Sequence, residues 1–190
     1  MHTKVTERRR LQIFSAETAQ LLAPKYADTK ESSRRLEIVN VLIRLAVAAD
    51  SPQLVELLCL QMAEHKLPFS AGEIAAAVAQ TFAAPALGRF LVADETDSRL
   101  AGLAYVAFLH SMEHAATIGL LEELYVRAEL RGRRIGSALL QRVIEEFANA
   151  SGKPIELEID ASHREVESFY RKHGFAQRDR TRWIYRPPLR

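Results

Sequence analysis

A single cysteine among 190 residues excludes an intramolecular disulfide. Cys59 sits in the run Leu57-Leu58-Cys59-Leu60, the setting of a small buried hydrophobe rather than of a nucleophile, and a reducing cytoplasm is the expected compartment. No uninterrupted apolar run approaches the roughly 18 residues that a membrane span needs, so a soluble chain with no membrane partner is expected. The first ten residues are followed by no apolar core and small-residue cleavage site, which argues against export. Charge of one sign is also scarce, the net being +2. The arginine clusters at Arg8 to Arg10, Arg34 and Arg35, Arg131 to Arg134, and Arg178, Arg180 and Arg182 lack interleaved aromatics, and no nucleic-acid partner is expected. No internal repeat or low-complexity segment is present.

What the chain does have is the balance of a globular protein, 48% hydrophobic and 26% charged, at a length that suits one buried domain with an appendage. Residues 1–37 are polar and read as a helical extension, with a homodimerisation or partner-binding arm as the alternative; residues 38–190 read as the domain. Ile38 to Ala49 alternates as a first strand. Asp50-Ser51-Pro52 opens a helix to about His65, with Leu54, Leu57, Leu58 and Met62 at helical spacing. Ser70 and Glu73 have capping-box spacing ahead of a second helix closed by Pro85. Arg89 to Asp94 and Leu100 to His110 form a hairpin, and Thr117 to Val126 is its antiparallel neighbour.

The stretch from Glu122 to Leu140 then joins a strand with two carboxylates, a basic turn containing Gly132, and the start of an amphipathic helix marked by Ile135, Leu139, Val143, Ile144 and Phe147. Such a turn aims backbone N–H groups and the positive end of a helix dipole at one point, a place for a phosphate or pyrophosphate. Ile155, Leu157 and Ile159 follow as a strand, so strand, helix and strand imply a right-handed parallel crossover. Ser162 to Glu165 reads as a second capping box opening a short helix with Val166, Phe169 and Tyr170 on one face. Phe175 to Arg186 reads as a final strand, with Trp183 and Tyr185 at alternate positions. His110 and His114 have the i, i+4 spacing of a metal pair, but they fall in a strand end and a loop with no third ligand, so no metal site is expected.

Two separated motifs in this order resemble the GNAT superfamily of acyl-CoA-dependent N-acetyltransferases. Leu124-Tyr125-Val126 with Arg131-Gly132-Arg133-Arg134-Ile135-Gly136 resembles the family's Arg/Gln-x-x-Gly-x-Gly/Ala loop. His163 to Phe175 resembles Asn-x-x-Ala-x-x-Phe-Tyr-x-Lys-x-Gly-Phe, and the likeness covers about Arg44 to Arg186. Arg134, His163 and Val166 depart from the family's Gly, Asn and Ala. The resemblance implies an α+β, mixed α/β fold: antiparallel N-terminal strands, a parallel crossover at strands 4 and 5, and helices on both faces. It implies acetyl-CoA as cosubstrate, no metal, and direct transfer of the acetyl group to a primary amine of a small molecule or peptide in a ternary complex. A non-catalytic acyl-CoA-binding protein of the same fold is the alternative. By resemblance, the amides of Gly132, Arg133, Arg134, Ile135, Gly136 and Ser137 hold the pyrophosphate with charge from Arg131 and Arg133. Leu124, Tyr125 and Val126 pair with the pantetheine arm, and His163 stands at the motif position near it. Glu122 is assigned as the base with Glu123 as its competitor, and Tyr170 protonates the departing thiolate.

Overall fold

The computed structural model describes residues 41–95, 99–149 and 152–185. The extension expected over residues 1–37 lies outside these, as do the tip of the hairpin and the last five residues. Five strands form one sheet in the order β1-β2-β3-β4-β5: β1 (Val41–Leu45), β2 (Gly88–Glu95), β3 (Leu100–Ser111), β4 (Ala116–Val126) and β5 (Ile155–Leu157). The first four pair antiparallel, and β5 pairs parallel to β4, the mixed topology that the strand-helix-strand pattern implied.

Helices cover both faces. On one face, α1 (Ser51–Glu64) and α2 (Ala71–Ala83) bury Leu54, Leu57, Leu58, Ile74 and Val78 against Phe90, Val92, Leu103 and Tyr125 of the sheet. On the other, α3 (Ile135–Val143) buries Ile135, Leu139, Leu140 and Val143 against Leu91, Ala104, Val106 and Leu121. Burying each of these leucines and valines contributes roughly 1.5–3 kcal/mol. Ser70 caps α2 as its spacing demanded: its Oγ accepts from the Glu73 N–H (3.2 Å) while the Glu73 carboxylate accepts from the Ser70 N–H (2.8 Å).

Several elements differ from the sequence pattern. The first strand stops at Leu45, because the Asp50 carboxylate turns back to accept from the Val47 N–H (2.7 Å) and from the Arg44 guanidinium (2.7 Å). Asp50 therefore closes a 3-10 turn, Ala48–Asp50, instead of capping α1 through its side chain. The long helix leaves α geometry after Val143 and continues as a π-helical turn, Ile144–Asn149. A 3-10 segment, Ala161–Val166, leads into α4 (Glu167–Lys172), so Ser162 lies inside that segment and is not the cap of a helix.

The final strand does not form: residues 175–185 carry no strand. Phe175 packs against the α3-face core, but β5 is only three residues long and offers little backbone to pair. The alternation in this segment sets arginines in ion pairs instead of a ladder. Arg178 donates to Glu113 (2.9 Å) and lies 3.5 Å from Glu156, Arg180 pairs with Glu113, and Arg182 pairs with Glu158. Trp183 and Tyr185 point outward, Trp183 being 90% exposed.

Candidate active site

The site forms where β4 loses a partner. Pairing with β5 runs through Gly119, Leu120 and Leu121 and ends at Leu157, so Glu122 to Val126 keep β3 on one side and have no strand on the other among the described residues. On the β3 side, Gly102 faces this segment, and a Cβ there would meet the Tyr125 carbonyl at 2.4 Å. Only glycine lets the two backbones approach this closely. Above it, the Tyr125 hydroxyl donates to Glu64 of α1 (2.8 Å).

The register shifts between Tyr105 and Val106, which pair with Glu123 and Leu121, leaving Glu122 as the extra residue of a bulge. The strict alternation expected of two adjacent carboxylates is thereby broken, and both Glu122 and Glu123 line the same cavity. They differ in setting. Glu122 is exposed. Glu123 is half-buried and accepts a hydrogen bond from Gln61 Nε2 (2.6 Å). Burial pushes the Glu123 carboxyl up to about 7, the Glu122 charge adds to this, and the Gln61 bond opposes it.

Tyr170 of α4 packs its ring edge-on against Phe169 (5.1 Å) and Phe175 (5.8 Å). Burial raises the pKa of its hydroxyl, and the nearby Glu123 carboxylate raises it further. Glu123 and Tyr170, far apart in sequence, are thus electrostatically coupled.

The basic turn lies at the other end of the free β4 edge. Gly132 and Arg134 both have positive φ, 78° and 65°, a curl that turns successive N–H groups toward one concavity. The first bond of the α3 ladder runs from the Ala138 N–H to the Arg134 carbonyl (3.0 Å), so the amides of Ile135, Gly136 and Ser137 precede the ladder and are available to an anion. Arg133 is exposed here. Arg131 is committed elsewhere: its Nε donates to the Val126 carbonyl (3.0 Å), its Nη2 pairs with Glu64 (2.7 Å), and its guanidinium lies 5.3 Å over the Tyr125 ring. His163 stacks on His65, just past the end of α1, at 4.7 Å. His114 Nε2 lies 3.0 Å from Glu156. No group of three or more His, Cys, Asp or Glu capable of holding a metal occurs among the described residues, and no helix there is long and apolar enough to cross a membrane.

Residues 86–177 match the family model described as the acetyltransferase (GNAT) domain. This region is a GNAT acetyltransferase domain. It spans β2 through α4 and so contains the bulge, the basic turn and Tyr170. The aminoalkylphosphonate N-acetyltransferase of Salmonella typhimurium is 31% identical over 81 residues, covering 43% of this chain and 53% of that protein. The chain thus spans about half the length of this curated relative. An acetyltransferase of Trypanosoma brucei superposes with a TM-score of 0.61 at 21% identity, covering 77% of this chain and 99% of that one. A predicted acetyltransferase with acetyl-CoA from Clostridium acetobutylicum gives a TM-score of 0.63 at 21% identity, covering 76% and 96%. These two show that the fold of the GNAT domain is shared.

Gln61 and Glu64 escaped the sequence reading. The sign was present for Gln61: it falls seven residues after Leu54 on the apolar stripe of α1, and a polar residue on a buried helix face needs a reason.

Proposed function

We propose that the chain is an N-acetyltransferase that moves an acetyl group from acetyl-CoA to a primary amine of a small molecule, with Glu123 as the base and Tyr170 as the acid. The observation that carries this reading is the half-buried Glu123, bonded to Gln61 on the part of β4 that β5 does not pair, with its charge acting on the half-buried Tyr170. The name of the Salmonella relative supports amine acylation, and the Clostridium acetobutylicum structure supports the cosubstrate.

The residues present fit a CoA thioester. The curled turn at Gly132 and Arg134, the amides ahead of the α3 ladder and the exposed Arg133 suit a pyrophosphate, and the free edge from Leu124 to Val126 suits an amide-bearing arm. When bound, acetyl-CoA supplies the acyl carbon and a sulfur leaving group. An amine arrives as ammonium and cannot attack until it loses a proton. Glu123, with a pKa near 7, is ionised often enough at neutral pH to accept that proton and basic enough to hold it. Glu122, the base that the resemblance implies, is exposed at the bulge and becomes the second carboxylate that attracts the cation and raises the basicity of Glu123. Tyr170, kept protonated by burial and by Glu123, donates its hydroxyl proton to the departing sulfur.

The curated relative's aminoalkylphosphonate does not suit this cavity, whose lining holds, among the described residues, no Lys, Arg or His to meet a phosphonate. A thiol-release assay with acetyl-CoA and a panel of amines tests the proposal. Amine-dependent release is expected, with Tyr170→Phe losing on the order of 10²-fold in kcat while acetyl-CoA affinity holds. Binding of acetyl-CoA with no amine-dependent release from any member would instead identify a non-catalytic acyl-CoA binder.

A further inference from the structure

A cavity of about 490 Å³ lies between α1, α2 and the sheet, with Glu122 and Glu123 at the sheet side. That volume is within the range of small-molecule sites. Its walls are apolar: Leu58 and Met62 from α1, Ile74 and Val78 from α2, Phe90 and Tyr105 from the sheet. Phe69, in the link between the two helices, also lines it and is 56% exposed, apolar surface that an occupant of the cavity would cover.

The polar groups are few and unequally placed. Glu73 touches the cavity, but its carboxylate already accepts from the Ser70 N–H (2.8 Å) and hydroxyl (2.7 Å) as the cap of α2. Gln80 and Thr81 are neutral, and the Thr81 hydroxyl donates to the Ala77 carbonyl (3.0 Å). Glu73 keeps its charge at the exposed start of α2, and the other negative charge is the pair at the bulge. Between that pair and Glu73 a second cationic group would face Leu, Ile, Val and Phe, and among the described residues the lining holds no cation to meet an anionic group.

On the reading that this cavity receives the acceptor, we infer that the substrate is a primary amine carried on an uncharged hydrophobic body, an aryl or alkyl chain. Its ammonium meets Glu122 and Glu123 and its body lies along the α1 and α2 walls. Polyamines, aminoglycosides and amines bearing a phosphonate or carboxylate are disfavoured.

Matched amines test this directly. Across n-alkylamines from ethyl to hexyl, kcat/KM should rise about fourfold per methylene, and hexylamine should exceed 1,6-diaminohexane by at least tenfold. Ala77→Trp, at an exposed α2 position lining the cavity, should cost hexylamine at least tenfold while sparing ethylamine. A flat chain-length series, a diamine equal to hexylamine, or an Ala77→Trp loss that is the same for every amine would overturn the inference. Should no amine release thiol, the acetyltransferase reading fails, and the cavity is judged by binding alone. Hexylamine should raise the melting temperature of the wild type more than 1,6-diaminohexane does, an effect absent in Ala77→Trp, and equal or absent shifts in the wild type overturn the inference.

Discussion

Gln61 donates from Nε2 to the Glu123 carboxylate at 2.6 Å, across 62 residues of sequence. Gln61 is 4% exposed and its Oε1 has no hydrogen-bond partner among the described residues, so there the amide is held by Glu123. The bond favours the ionised carboxylate against the burial that raises its pKa to about 7. If Glu123 is the base, kcat/KM should climb with pH to a bend near 7. Gln61→Leu should move that bend upward by about one pH unit, the equivalent of a lost charged hydrogen bond of ~1.5 kcal/mol. Glu123→Gln should lower the rate about 10²-fold and remove the bend, while Glu122→Gln should move the bend down, since a repelling charge is gone. A bend lost in Glu122→Gln and kept in Glu123→Gln would restore Glu122 as the base.

The same carboxyl links stability to pH. Its folded pKa of about 7 lies above the ordinary 4.5, so the folded chain holds this proton more tightly than the unfolded chain does. The contribution is fully present below about 4.5 and is lost as pH rises through 7. Glu123→Gln keeps the shape and removes the buried charge. Urea unfolding at pH 8 should find the variant more stable by on the order of 2 kcal/mol, discounting for water in the cleft, with the gain shrinking toward pH 5. A variant less stable than wild type at pH 8 would contradict the sign.

Arg134 stands at φ 65°, where the related motif carries glycine. A left-handed non-glycine residue costs roughly 1–2 kcal/mol, and the extra freedom of glycine in the unfolded chain returns part of that. Arg134→Gly should therefore raise stability by about 0.5–1 kcal/mol, read as an increase in melting temperature. A fall would mean that the arginine side chain contributes more than its backbone strain removes.

That strain was visible beforehand only as a departure from a motif, which shows what local pattern can carry. The β4, α3 and β5 crossover could be read directly, because Ile135, Leu139 and Val143 repeat at helical spacing and Ile155 and Leu157 alternate, and all five are then packed as that spacing requires. The bulge at Glu122 could not. Register depends on which residues of β3 lie opposite, and nothing between Leu121 and Tyr125 marks the slip between Tyr105 and Val106. The contrast between Glu122 and Glu123 follows from that slip and from Gln61, a partner remote in sequence. The segment after Phe175 misled for the opposite reason: alternation at Arg178, Arg180 and Arg182 is real, but it serves ion pairs to Glu113, Glu156 and Glu158 instead of a backbone ladder.

The two arginines flanking Gly132 should separate binding from folding. Arg131 ties the turn to α1 through Glu64 and to β4 through the Val126 carbonyl, and it covers the Tyr125 ring. Arg131→Ala should therefore lower stability by about 1 kcal/mol, the worth of a half-exposed ion pair with one charged hydrogen bond. Arg133, exposed beside the amides that precede the α3 ladder, should leave the melting temperature unchanged when cut to alanine. If this turn holds the pyrophosphate, Arg133→Ala should weaken acetyl-CoA binding about fivefold at low ionic strength, measured by calorimetry. The difference should shrink toward 1 M salt, where the screening length falls to about 3 Å. An Arg133→Ala affinity equal to wild type at low salt would remove this side chain from the anion site and leave the phosphate to the backbone amides alone.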